Sequence, residues 1–283
     1  MFAETARGWF AEDIRVTCNI RSPRVIEALA TVPRERFLGP GPWLFRAETD
    51  MAGPRTTDDA DPKRVYHNVA IAIDPARNLY NGQPGLIARW LDMLAVAPGD
   101  KVLHVGCGTG YFTALIGHIV GPSGHVIAID VDSNLADRAT ANLTDWPWVD
   151  VSTGDGRTHL PPNRDVVLVH AGATHVLDEW LDALRDGGRL LVPLTVAMPG
   201  MPAGISKGSV LTARRRGDEW SATVSQMVAI YSLVGARDDA MAAKLGQAFM
   251  GGKAATVTRL RRDQHDPQEQ CWLHGDTVCL STA

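Results

Sequence analysis

Ten residues, Val102-Leu103-His104-Val105-Gly106-Cys107-Gly108-Thr109-Gly110-Tyr111, constrain this chain more than any others. A strand-length run breaks into three alternate glycines and passes at once into a helix-forming stretch. Glycine lets the backbone approach a neighbour closely or adopt angles closed to other residues. The helix N-terminus beyond it presents unpaired N–H groups to whatever lies at the loop. Many strand-to-helix turns use glycine for the turn alone, so the meaning of this one depends on its surroundings.

Those surroundings alternate. A helical stripe of Leu86, Ile87, Trp90, Leu91 and Leu94 starts at Pro84 and stops at Pro98-Gly99-Asp100. Strand-like runs recur at 126–129, 149–151, 166–169 and 190–194, with helical patterns at 135–143 and 176–184 between them. Strands alternating with helices specify a parallel sheet with right-handed crossovers. After Pro193 the rhythm changes to an antiparallel hairpin, 209–216 with 220–231, turning at Gly217-Asp218. Upstream, Ser22-Pro23 opens the first expected helix, with Val25, Ile26, Leu29 and Ala30 at helical spacing and the next helix only much later. Residues 39–64, rich in Gly, Pro, Asp and Arg, read as a long loop or lid. Residues 238–249 read as a helix, and 255–262 with 271–280 as a further hairpin. There are no internal repeats. The expected division is an N-terminal helical and lid segment (1–83), a central ligand-binding domain (84–235) and a C-terminal extension (236–283).

Three features give the glycine loop a ligand. Asp130 ends the next strand twenty residues past Gly110, where a carboxylate accepts both ribose hydroxyls of a nucleoside. Asp155-Gly156 follows the third strand, in position for an adenine amino group, and Gly187-Gly188 makes the turn into the fifth. A dinucleotide fingerprint would place Gly or Ala where this chain has Tyr111, which argues against a nicotinamide enzyme. The formal charge of −4 and pI near 6.1 supply no field for a phosphate backbone, so nucleic acid is not an expected partner. Arg214–Arg216 and Arg259, Arg261 and Arg262 read as solvated faces. Cys18, Cys107, Cys271 and Cys279 are scattered and form no Cys-x-x-Cys pair, so neither a metal site nor a disulfide framework is expected, and a reducing cytoplasm fits. No segment has signal-peptide or membrane-spanning character.

At these residues the chain resembles the protein-L-isoaspartate O-methyltransferases, over residues 22–235. The resemblance lies in Val32-Pro33-Arg34-Glu35-Arg36-Phe37, Gln83-Pro84, Pro98-Gly99-Asp100-Lys101-Val102-Leu103, the glycine loop with Tyr111, Gly154-Asp155-Gly156, and Gly187-Gly188-Arg189-Leu190-Leu191-Val192-Pro193-Leu194. It implies the α/β, Rossmann-like fold of class I methyltransferases: a seven-stranded sheet, here with an N-terminal helical and lid segment and a C-terminal β-rich extension. It implies S-adenosyl-L-methionine as cofactor, held by Tyr80, Asn81, Gly82 and Gln83, by Gly106, Gly108, Thr109 and Gly110, by Asp130 with Val131, and by Asp155 with Gly156. His170, at the carboxyl edge of the sheet, is placed with this set.

The departures concern the acceptor. The family usually carries Ile-Ser-x-Pro, with the Ser hydroxyl near the transferring methyl, where this chain has Asn81-Gly82-Gln83-Pro84. Asn81 is a candidate substitute, since the connection from Asp74 to Tyr80 is longer than usual. His104 stands where an acidic residue commonly precedes the loop. His170-Ala171-Gly172-Ala173 lacks the Asn/Asp-Pro-Pro-aromatic sequence common in enzymes that methylate nucleobase amines. A carboxylate acceptor arrives ionised and needs no base, whereas a hydroxyl or amine often does. His170 is either such a base or a strand-end residue bonded to backbone. His67 and His175 read as surface residues, Cys107 as filler, and Trp43, Trp146 and Trp148 as local packing or pocket lining. The catalytic residues stay unassigned. The first expectation is a peptide or protein carboxylate acceptor; the alternatives are a small-metabolite O- or N-methyltransferase and an inactive cofactor-binding interaction module. No membrane partner is expected.

Overall fold

The computed structural model describes residues 2–47 and 53–282; residues 48–52, within the expected lid, lie outside them. Two compact units form: the chain up to Asp100 with Cys107–Thr153, and Lys101–Gly106 with the chain from Gly154.

In the first unit, Ala3–Thr17 (α1) buries Ala6, Phe10, Ala11 and Ile14 at helical spacing. The sequence placed no helix there. Trp9 and Val16 stay 69% and 62% exposed, so apolar residues also mark another face and blur the period. Pro23–Thr31 (α2) begins where Ser22-Pro23 predict, although the Ser22 hydroxyl caps nothing; its backbone N–H donates to Asp92 Oδ1 at 2.7 Å.

The loop expected over 39–64 holds regular structure. Leu44–Arg46 (β1) pairs antiparallel with Arg55–Thr56 (β2) and with Ala70–Asp74 (β3), which pairs in turn with Leu79–Tyr80 (β4). Strands of two or three residues offer no alternation to read. Pro84–Met93 (α3) buries the expected Ile87, Trp90 and Leu91.

Lys101–Val105 (β5) belongs to the second unit, and the chain then returns to the first as Tyr111–Val120 (α4), His125–Asp130 (β6), Ser133–Asn142 (α5) and Val149–Thr153 (β7). Strands β6 and β7 run parallel, from Val126 opposite Val149 to Asp130 opposite Thr153. This register brings Asp130 to the carboxyl end of its strand, beside the start of α5.

In the second unit, β5 pairs parallel with Arg164–Val169 (β8). Asp178–Asp182 (α6) is shorter than its 176–184 pattern because Leu184 already opens the next strand, Leu184–Val196 (β9), parallel to β8. Gly187-Gly188 is therefore not a turn before the strand. Arg164 pairs with Leu184 and Val166 with Arg189, so residues 185–188 absorb an irregularity inside β9. Val102, Leu103, Val166 to Val169 and Leu190 to Val192 are fully buried, as continuous apolar strands of a covered parallel sheet require.

Ile205–Arg216 (β10) and Glu219–Tyr231 (β11) form the expected antiparallel hairpin, so the seven anticipated strands, β5 to β11, are all present. Asp239–Met250 (α7) matches its prediction. The final hairpin is corrected: Arg259–Arg261 (β12) pairs with Cys279–Ser281 (β14), and the hairpin partner of β14 is Cys271–His274 (β13). The sheet of this unit runs β13-β14-β12-β11-β10-β9-β8-β5. Among the described residues no helix is long and apolar enough to cross a membrane.

Candidate functional site

In the first unit the glycine loop is fastened from two sides. Asp130 Oδ2 accepts the Gly108 N–H at 2.7 Å, and Oδ1 accepts the Asp132 N–H at 3.0 Å. Asn142 Nδ2 donates to the Thr109 carbonyl at 3.0 Å. Burial pushes the Asp130 carboxyl above its ordinary value, against those N–H donors. Both loop glycines have a left-handed backbone, φ +57° at Gly108 and +94° at Gly110, but the space around them differs. A side chain at Gly110 would come within 2.9 Å of Leu143 Cδ1 and 3.3 Å of Ala139 Cβ, so α5 packing excludes it. At Gly108 a Cβ would meet only Ile73 Cδ1, at 4.0 Å, although φ is +57° there. Packing thus closes the space at Gly110, while the space over Gly108 is open. Thr109 Oγ1 is buried with no hydrogen-bond partner among the described residues. Val131 is exposed beyond Asp130.

The Tyr80–Gln83 stretch is organised by Arg34, which in the sequence stands out only as part of the Val32–Phe37 motif. Arg34 is fully buried; its Nη1 donates to the carbonyls of Val65 (2.8 Å) and His67 (2.9 Å), and its Nη2 to Val69 O (2.7 Å) and Asn81 Oδ1 (3.2 Å). Desolvation lowers this guanidinium to about 10, so it stays cationic at neutral pH. Asn81 Oδ1 also accepts the Ile71 N–H at 3.3 Å, and these two donors fix which end of the amide is oxygen. Asn81 Nδ2 is then a buried donor with no acceptor among the described residues. Gly82 has φ +73°, Gln83 is the N-cap of α3, and Tyr80 lies under Arg46, 5.3 Å from guanidinium to ring centre.

In the second unit, a side chain on Gly106 would lie 3.5 Å from the His170 carbonyl, and one on Gly156 would collide with Val105 Cγ1 at 2.2 Å. The Gly156 carbonyl accepts Trp180 Nε1 at 2.8 Å. Asp155 is clasped by Arg157: Oδ1 accepts its N–H (3.0 Å) and Nε (2.9 Å), and Oδ2 accepts Nη2 (2.7 Å). A carboxylate has about four acceptor positions, so one remains for a further donor. His170 stacks on fully buried His104, ring centres 5.7 Å apart and planes 19° apart. Burial lowers His170 to about 4 and His104 well below its ordinary value, with His170 adding to the latter. Both rings are neutral at pH 7. An imidazole so depressed is a weak base, which counts against the hydroxyl-activating role considered for His170.

The remaining candidates sort plainly. Trp43 Nε1 donates to Gly39 O and Trp148 Nε1 to Gly117 O, while buried Trp146 lies under Arg36; all three pack locally. Cys107 is buried with its thiol pushed up by desolvation, His67 is exposed, and His175 Nδ1 contacts Thr174 Oγ1 at 2.9 Å. Arg262 pairs with Asp178 and Asp182, and Arg261 with Asp263, so these arginines are engaged by acids. Scattered in the sequence, Cys271 and Cys279 come together in the fold with His265 and His274, ligand-type atoms all within 4.8 Å of one another.

Comparison with known proteins adds a common ancestry to this geometry. The family model for Protein-L-isoaspartate(D-aspartate) O-methyltransferase matches residues 54–206. A protein-L-isoaspartate O-methyltransferase of Methanopyrus kandleri is 32% identical over 194 residues, 67% of this chain and 76% of that one. One from Vibrio parahaemolyticus is 28% identical over 225 residues, 77% of this chain and 91% of its own. Among solved structures, a Plasmodium falciparum beta-aspartate methyltransferase (PCMT) in complex with S-adenosyl-L-homocysteine superposes with a TM-score of 0.61 at 15% identity, covering 80% of this chain and 97% of that one. The fold is that α/β, Rossmann-like class I methyltransferase fold.

Proposed function

The chain belongs to the protein-L-isoaspartate(D-aspartate) O-methyltransferase family and is an S-adenosyl-L-methionine-dependent methyltransferase; we propose that its acceptor is a carboxylate of a peptide or protein, distinct from the isoaspartyl group of the family name. The buried, unpartnered Nδ2 of Asn81 carries this reading, beside a glycine where the family usually has serine.

The residues present suit the cofactor. Asp130 offers a carboxylate for ribose hydroxyls, Thr109 Oγ1 an unpaired hydroxyl, Gly108 open space beside the α4 N-terminus, and Asp155 one acceptor position for an amino group. We assign Gly106, Gly110, Val131, Gly156 and the Tyr80–Gln83 stretch to the same role. When bound, the cofactor supplies an electrophilic methyl group with its own leaving group. The chain has then to hold an ionised nucleophile in line and exclude water. No general base is needed for a carboxylate, in keeping with the depressed basicity of His104 and His170. A buried donor left unpaired costs about 1–3 kcal/mol. A carboxylate oxygen would satisfy Asn81 Nδ2, while Arg34 locks the other end of that amide and so fixes the donor's direction. The four free cysteines suit a reducing compartment, and we place the enzyme in the cytoplasm.

The test is methyl transfer from labelled cofactor to isoaspartyl peptides and to a panel of other peptide carboxylates, followed by base-induced methanol release. Isoaspartyl turnover is expected to fall at least about tenfold below that on the best alternative, the equivalent of one missing charged hydrogen bond. Equal turnover, or a base-stable product, overturns the proposal. Gly82→Ser is expected to restore nothing. At φ +73° a serine would cost roughly 1 kcal/mol of backbone strain, about as much as the 0.5–1.5 kcal/mol its hydrogen bond would return.

A further inference from the structure

Outside the methyl-transfer site, the C-terminal strands gather His265, Cys271, His274 and Cys279, one ligand atom from each, all within 4.8 Å of one another. We propose that these four side chains bind one zinc ion tetrahedrally and that the ion fastens the loop after β12 to the β13–β14 hairpin.

Two thiolates and two imidazoles are the donor set of structural zinc sites, with Zn–S near 2.3 Å and Zn–N near 2.0–2.1 Å, so the donors sit roughly 3.3–3.8 Å apart. Here His265 Nε2 is 3.5 Å from Cys271 Sγ, already at that spacing. The backbone creates the convergence. Residues three apart on a regular strand face opposite sides. The register of β13 slips between Cys271 and Leu273, however, so that Cys271 lies opposite Ser281 and His274 opposite Cys279. Ser281 and Cys279 are two apart on β14 and share a face. The bulge therefore turns Cys271 and His274 to the side on which Cys279 projects. His265 reaches the same point from the loop, and its ring is preset: Nδ1 lies 2.8 Å from the Asp263 carbonyl, which leaves Nε2 toward Cys271. A metal-ligating histidine is commonly oriented in this way through its other nitrogen.

Two further observations point to a ligand. His274 Nδ1 is buried without a hydrogen-bond partner among the described residues. The Gln268 N–H points to Cys271 Sγ at 3.4 Å, as donors do to a metal-bound thiolate. Both cysteines are free, so no disulfide consumes them.

The experiment uses the full chain, purified with reductant and without chelator. Co2+ titration of the metal-depleted protein is expected to saturate at one equivalent, with thiolate-to-cobalt charge-transfer absorption and tetrahedral d–d bands that Zn2+ abolishes. Cys271→Ser and Cys279→Ser should each weaken zinc binding by more than the roughly 10–100-fold that losing an outer partner costs, while Cys18→Ser, in the other unit, leaves it intact. Because the serine variants could unfold the extension, the wild-type titration stands alone. No thiolate-to-cobalt band from the reduced wild-type protein overturns the site. So does a band that survives both cysteine replacements.

Discussion

Asp130→Ala lowers the affinity for S-adenosyl-L-methionine by about ten- to a hundredfold, without a matching loss of stability. Charge-assisted hydrogen bonds are worth roughly 1.5–3 kcal/mol, and the carboxylate makes them in two directions. It accepts the Gly108 and Asp132 N–H groups within the protein, and in our assignment it accepts the ribose hydroxyls of the cofactor. Removing it deletes the ligand contact and loosens the loop. Burial raises the Asp130 carboxyl, so the fold holds this charge at a cost, and losing the charge relieves that cost. A residue kept for stability would show the opposite balance. Asp130→Asn retains one acceptor oxygen and should lose less affinity than alanine. Calorimetric titration checks the series, with thermal unfolding alongside; a folded Asp130→Ala protein of unchanged affinity removes this residue from the site.

What could be read from the sequence follows the reach of the interactions. The strand-to-helix turn at the glycine loop, the placing of Asp130 at a strand end and the β10–β11 hairpin were legible because each is specified by neighbours along the chain. Gly108 and Gly110 look alike in sequence and are told apart only by space, since Leu143 and Ala139 crowd one while only Ile73 approaches the other. Helix α1 was hidden by Trp9 and Val16, whose exposure leaves apolar residues off its buried stripe. Arg34 was hidden because a buried cation breaks the rule that charge lies outside, and its carbonyl partners lie more than thirty residues away. The histidine–cysteine cluster was hidden by a bulge, which cancels the two-residue alternation from which facing would be inferred. In each case a local rule holds until a contact from elsewhere overrides it.

Acidification tests the other departure from the family, the neutral imidazole at His104. His170 takes up a proton at about pH 4 in the folded protein, against about 6.5 in an unfolded chain. The folded state therefore prefers the neutral ring. Its contribution is complete above pH 6.5 and is lost progressively as the pH falls toward 4. At pH 5 that loss amounts to about 2 kcal/mol for His170 alone. His104, fully buried and stacked against it, shifts in the same direction, as does His175. The paired carboxylates of Asp132 and Asp155 are held below their ordinary range, so their contribution is lost only at lower pH, and raised Asp130 opposes the trend. The window between pH 6.5 and 5 thus belongs mainly to the histidines. Urea unfolding at pH 7.5 and pH 5 should show the wild-type protein losing a sizeable part of the 5–15 kcal/mol typical of a domain, and His170→Asn, compared with its own pH 7.5 value, losing about 2 kcal/mol less. Equal losses in the two proteins would mean that the stacked pair is solvated enough to charge at no cost, and the account of His170 as a ring kept neutral would fail.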